Sequence, residues 1–156
     1  MTHPVALPAM EVAPRARPSN YPPEFAVRMA GRVKRALGDV FGLRNFGVNL
    51  TELAPGAASA LHHMHSRQDE FIFMLEGRLV LVTGDGDETL LQPGDCAGFP
   101  AGGPAHHLEN REAEAARYLE LGDRTEGDEV SYPADDLVAV SAGSGWLFRH
   151  KDGRSY

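Results

Sequence analysis

The chain has one cysteine, Cys96, so no internal disulfide can form and a disulfide-stapled scaffold is excluded. Long apolar runs are missing too. The longest, residues 71–75 and 79–82, are the size of a buried strand and far short of a membrane-spanning helix. The opening residues lack the basic-then-apolar order of a secretory signal and are interrupted by proline. The cytoplasm is therefore the expected location. Charge of one sign never gathers in a block, and the balance is acidic: 15 basic against 22 acidic residues, a net charge of −7. Such a field repels phosphate backbones and anionic lipid, so neither nucleic acid nor membrane is expected as a partner. No DNA-binding helix-turn-helix is evident.

What is there suits a folded protein. A length of 156 residues with 42% hydrophobic and 24% charged side chains fits one domain with a sizeable core. Residues 1–23 hold six of the eleven prolines, including Pro22-Pro23. Proline lacks the N–H that a central strand needs, so this segment reads as a Pro-rich N-terminal arm. It is either a disordered tail or an extended arm lying across the rest of the chain or a second subunit, with Val5, Leu7, Met10 and Val12 available for burial. Residues 24–156 are read as a single domain.

Residues 25–37, FAVRMAGRVKRAL, fit an amphipathic helix or a basic strand, and Gly31 and a missing cap weigh against the helix. From Asn45 onward strand signals dominate. NFGVNLTEL alternates, EFIFMLEG and RLVLVTG follow, GDGDE has hairpin chemistry, and TLLQPGD, CAGFPAGGPAHHLEN and ARYLELG continue the run. Short strands separated by Gly/Pro turns predict an all-β sandwich or barrel. The tail from 124 to 156 reads as polar and loop-rich, with one late strand near 145–150.

Five of the seven histidines fall in two groups, His62, His63 and His65, then His106 and His107. On a strand, side chains at i and i+2 share a face, which aligns His63 with His65 and turns His62 away. Glu70 opens the next apolar segment. Imidazoles and a carboxylate converging from neighbouring strands suit a divalent metal ion. Three imidazoles and a carboxylate buried without a partner would cost several kcal/mol.

These residues resemble two motifs of the cupin family. The first reads Gly56, His63-Met64-His65, Glu70 and Gly77, and the second Gly94, Pro100-Ala101-Gly102, His106 and Asn110, each with one residue more than the family pattern. Sixteen residues, 78–93, separate them. The resemblance implies an all-β double-stranded β-helix, the jelly-roll barrel of small single-domain bacterial cupins, with motif 1 at 56–77 and motif 2 at 94–110. It also implies a metal held by His63, His65, Glu70 and His106, and the spacing to Asn110 selects His106 over His107. His62, His107, His3 and His150 are read as ordinary surface or core residues. Pro100 and Gly102 are expected to fix the turn that presents His106. Cys96 and Phe99 either line the barrel or pack, and Met64, Phe71 and Phe73 are read as core or sheet-contact residues.

Three neutral imidazoles and one carboxylate carry a charge of −1 and suit one divalent ion among Fe, Mn, Ni, Co, Cu and Zn. Four protein ligands on an octahedral ion leave positions for water or substrate, unlike a closed structural zinc. The chain further resembles bacterial cupins labelled as sugar-phosphate isomerases. The first expectation is therefore a metal-dependent, isomerase-type enzyme on a small oxygenated substrate, a sugar or sugar phosphate. Glu70 is a base only where it is not committed to the metal, and Tyr118, Glu120 and Arg117 are further candidates of which alternation lets only some face inward. Between 56 and 110 the only basic side chains are Arg67 and Arg78, which weighs against a phosphate group. An Fe(II) dioxygenase or lyase and a non-catalytic small-ligand sensor remain as alternatives. A homodimer is expected, since cupins commonly pair through an apolar sheet.

Overall fold

The computed structural model describes residues 2–143 and 145–156. Two single-turn helices, α1 (Pro23–Ala26) and α2 (Leu37–Val40), flank the first strand, β1 (Arg32–Ala36). The chain continues through β2 (Phe46–Leu53), β3 (Met64–His65), β4 (Glu70–Glu76), β5 (Leu79–Thr83) and β6 (Asp87–Leu91). Then come β7 (Cys96–Phe99), β8 (His106–Glu109), β9 (Ala116–Asp123), β10 (Glu129–Tyr132), β11 (Leu137–Ala142) and β12 (Gly145–Arg149). No helix among the described residues is long and apolar enough to cross a membrane.

All the strand pairings are antiparallel, in three sheets: β1-β2-β9-β4-β7, β12-β11-β10-β3 and β6-β5-β8. This is the all-β jelly-roll that the sequence predicts. Two apolar clusters fill it. Leu53, Ile72, Met74 and Tyr118 of the five-stranded sheet pack on Leu79, Leu81, Leu91 and Leu108 of the three-stranded one. Val130, Tyr132, Leu137 and Ala139 of the four-stranded sheet meet Met29 and Leu61, with Tyr21, Phe25, Trp146 and Phe148 against them. Both clusters follow from alternation, because inward positions along each strand are apolar while their neighbours face out.

The segment 25–37 resolves as α1, a 3₁₀ turn at Val27–Met29 and then strand β1, so its basic half is a strand. Gly31 enforces the break, with a φ of +84° that helix propagation does not tolerate. A Cβ there would also lie 3.1 Å from the Ala57 Cβ, which favours glycine for this close approach. Val12 and Arg15 of the arm lie against β1. The Arg15 N–H donates to the Lys34 carbonyl (2.9 Å), Arg35 donates to the Val12 carbonyl, and Val12 is buried.

The tail departs most from the sequence reading. Residues 124–156 contain three strands rather than one late one. β10 and β11 form a hairpin, Val130 opposite Ala139 and Tyr132 opposite Leu137, and β12 adds to it. β10 is short and half polar, so its alternation is weak in isolation, and part of the apolar cluster it joins, Met29 and Leu61, lies elsewhere in the sequence.

Candidate metal centre

Each sheet delivers part of the site. β3, at the edge of the four-stranded sheet, carries His65, and His63 just before it pairs through an isolated bridge with His106 at the start of β8. Reciprocal backbone hydrogen bonds hold that bridge, His106 N–H to the His63 carbonyl (2.8 Å) and His63 N–H to the His106 carbonyl (3.2 Å). Glu70 begins β4 in the five-stranded sheet. The Pro100–Gly102 turn is pinned from two sides. Ala101 N–H donates to the Asp69 carboxylate and Gly102 N–H to the His65 carbonyl, both at 2.8 Å. Asn110 is buried and structural: its amide donates to the Leu53 and Glu114 carbonyls, and its oxygen accepts from the Glu112 N–H.

Three imidazoles of the expected site face its carboxylate, Glu70, with His65 the most distant. Oε2 lies 2.8 Å from His106 Nε2 and 3.3 Å from His63 Nε2, and Oε1 lies 3.5 Å from His65 Nε2. His63, Glu70 and His106 each present a donor atom within 4.8 Å of the others. The opposite ring nitrogens are all turned toward acceptors. His63 Nδ1–H donates to the Leu61 carbonyl (2.8 Å) and His65 Nδ1–H to the Asp128 carboxylate (2.6 Å), while His106 Nδ1 faces the Pro104 carbonyl at 3.5 Å. With Nδ1 turned to an acceptor, each ring would offer Nε2 to an ion once that nitrogen gives up its proton, which is the arrangement imidazole ligands of a metal adopt. The donor set therefore fits a divalent transition ion.

The electrostatics are those of the ion-free centre, in which the imidazoles face the Glu70 carboxylate. Burial opposes the charge on Glu70, but hydrogen bonds from His106, His63 and His65 overcome it and hold its carboxyl well below the usual carboxylate range. Burial also pushes the His106 pKa down, favouring its neutral ring. At His65 burial acts in the same direction, yet hydrogen bonds and charge from Glu70 and Asp128 outweigh it and raise the pKa to about 9. Asp128, fully buried, also accepts from the backbone N–H groups of Arg67 and Gln68. The sequence carries no signal for Asp128. It becomes visible only through the β3–β10 register, which places His65 opposite Val130.

A cavity of about 240 Å³ opens on this centre. Phe99 lines it and stacks flat on His106, ring centroids 3.5 Å apart and planes within 2°. Tyr118 and Glu120 face the cavity, whereas Arg117 between them turns out to pair with Glu52 and Glu76. Cys96 is exposed, and Phe71 and Phe73 are half-exposed rather than core. The basic side chains of the wall are Arg15, Arg17, Arg32 and Lys34, all from outside the two motifs.

His62 and His107 lie on the far side of the strands and face each other, Nδ1 to Nδ1 at 2.9 Å. The Gly84 carbonyl and the Glu109 carboxylate only accept, so each Nε2 is a donor. These two rings belong to a structural pair, outside the cavity.

The Cupin domain family matches residues 49–122. A sugar phosphate isomerase of the cupin superfamily from Silicibacter pomeroyi DSS-3 is similar at 41% identity and a TM-score of 0.90, over 97% of this chain and 96% of that one. A protein from Acidithiobacillus ferrooxidans, described provisionally as a sugar phosphate isomerase, shares 30% identity over 80% of each chain with a TM-score of 0.72. The polyketide cyclase RemF from Streptomyces resistomycificus, at 21% identity over 76% of this chain and 78% of its own, shares the fold with a TM-score of 0.63. No curated protein matches the sequence. Identity at this level along nearly the whole of both chains, on the same strand framework, means that the chain belongs to the cupin superfamily.

Proposed function

We propose that the protein is a metal-dependent isomerase of a small oxygenated substrate, a sugar or sugar phosphate, with one divalent transition ion on His63, His65, Glu70 and His106. The observation that carries this reading is the convergence of three Nε2 atoms on one carboxylate inside a ligand-sized cavity, every Nδ1 being turned to an acceptor. When bound, the ion would supply the Lewis acidity that polarises a carbonyl and its neighbouring hydroxyl oxygen. The names of the relatives from Silicibacter and Acidithiobacillus point to the same class of reaction.

The chain's own residues supply the rest. Both Glu70 oxygens are engaged by imidazoles, so Glu70 is a ligand rather than a base. Glu120 is the carboxylate left to move a proton. It sits two residues from Gly122, the β9 partner of Glu70, so the two carboxylates lie diagonally on one sheet face, with Cβ atoms roughly 7 Å apart. Lys34 and Asn49 both donate to Glu120 Oε1 and fix the group in place. In an aldose–ketose exchange Glu120 would take the proton from the hydroxyl-bearing carbon and return it to the former carbonyl carbon, while the hydroxyl proton passes to the former carbonyl oxygen. Tyr118 and Tyr132 keep their hydroxyl protons, their pKa values raised by burial above all, and the Tyr118 hydroxyl donates to Glu120 Oε2 (3.5 Å).

The test is metal analysis of protein purified without added metal, then turnover of aldoses and their phosphates in deuterated water with the ion found. Deuterium at the exchanged carbon, lost in Glu120→Gln with metal content unchanged, is the expected result. Oxygen uptake with Fe(II) and no deuterium incorporation would replace the isomerase reading with the dioxygenase one.

A further inference from the structure

The cavity collects more positive charge than carboxylates pair with among the described residues. Arg15 and Arg17, from the segment before α1, and Arg32, from β1, line it, and among the described residues none of the three pairs with a carboxylate. Lys34, the fourth cation of the wall, is matched by Glu120. This occurs in a molecule with seven more acidic than basic residues, where a carboxylate would be the common neighbour.

Arg32 is held rigidly. Its Nη1 donates to the Ser59 carbonyl (2.6 Å) and its Nη2 to the Pro18 carbonyl (2.9 Å), while Nε is buried without a partner. Two neutral carbonyls fix the guanidinium and leave its charge uncompensated. Arg15 is steadied over the sheet by Nη2 donating to Asn49 (3.1 Å). Both Arg15 and Arg17 are exposed, so their remaining donors face the open side of the cavity. Tyr21 and Tyr132 line the same cavity, packed edge-on with ring centroids 5.7 Å apart, and the Tyr132 ring lies 6.2 Å from that of His63.

We propose that Arg15 and Arg17 grip a phosphate monoester on the substrate, with Arg32 behind them as a fixed charge. The proposal rests on the cavity being a small-molecule site centred on Glu70, and it narrows the substrate to the phosphorylated class. Guanidinium forks bind phosphate oxygens two at a time, and three uncompensated cations match a dianion better than a single carboxylate. The grip would hold one end of the substrate while its carbonyl end reaches the histidines.

The experiment titrates inorganic phosphate, and acetate as a monoanionic control, into the full chain by calorimetry, with metal content measured on the same samples. Arg15→Ala/Arg17→Ala is expected to weaken phosphate binding at least tenfold while metal content stays at the wild-type level, and Arg78→Ala, remote and paired with Glu112, to bind as wild type does. Acetate is expected to bind at least tenfold more weakly than phosphate. Wild-type phosphate affinity in the Arg15/Arg17 variant would overturn the proposal, as would acetate binding as tightly as phosphate. Phosphate binding that disappears only in His63→Ala/His106→Ala would overturn it too, by placing the anion on the metal. Failure of the metal reading is scored separately, by wild-type protein that takes up no ion.

Discussion

Substituting Asp128 with asparagine would change which nitrogen of His65 carries the proton, and so block the metal-facing side of the ring. Asp128 accepts at once from His65 Nδ1 and from the Arg67 and Gln68 N–H groups. An asparagine must keep its oxygen on the backbone donors and turn its NH₂ to Nδ1, which moves the imidazole proton to Nε2. Metal affinity is expected to fall about 10–100-fold, read by chelator competition, with little change in fold. A second prediction concerns pH. In the metal-free protein, burial works against a charged His65, yet Glu70 and Asp128 lift its pKa to about 9, against about 6.5 in an unfolded chain. A raised folded value stabilises the fold fully below pH 6.5, and that contribution drains away as pH rises to 9. The urea midpoint of the metal-free protein should drop across that window, and the drop should shrink in His65→Gln. The HxH spacing and Glu70 made the ligand candidates legible in the sequence, because strand alternation is a local rule. Asp128, sixty-three positions from His65, was not, because only the pairing of two strands brings it there.

One glycine decides the turn that carries the chain from β4 in the five-stranded sheet to β5 in the three-stranded one. Gly77 has a φ of +71°, and a Cβ there would lie 2.8 Å from both the Ala115 carbonyl oxygen and the Ala116 Cα. Backbone atoms cannot step aside, so Gly77→Ala should cost about 2–4 kcal/mol in denaturant unfolding. This glycine closes the first motif, and its role is packing rather than chemistry. Strands β2, β4, β5 and β9 were readable because each alternates over several residues against a buried face. β10 and β11 were not. Glu129-Val130-Ser131-Tyr132 offers two apolar positions, and their weight appears only once Leu61 and Met29 lie beneath them. The basic wall was missed for a related reason: all three arginines stand outside the motifs, Arg15 and Arg17 reaching the cavity on the segment before α1 and Arg32 from β1.

Taken whole, the molecule keeps one apolar face uncovered. Phe71, Phe73 and Leu75 along β4 are 40%, 38% and 40% exposed, with Cys96 opposite Phe73 in the register. Grouped apolar side chains of this kind mark contact surfaces, and we propose that a second copy covers them in a two-fold dimer. Light scattering after size exclusion should give a dimer at micromolar concentration and a monomer for Phe73→Glu. Metal removal should be felt globally as well. At an ion concentration a hundredfold above Kd, binding adds about 2.7 kcal/mol, so chelation is expected to lower Tm by roughly 5–10 °C, reversibly. The wall around Tyr21 has a consequence for the order of assembly. Tyr21 packs edge-on against Tyr132 and Phe148, joining an early segment of the chain to its late strands, whereas the four candidate ligands fall between 63 and 106. Contacts between such distant segments form late in folding. During refolding, metal capture should therefore precede the first detectable binding of phosphate, with an interval in which the ion is held in a chamber that still lacks its basic wall.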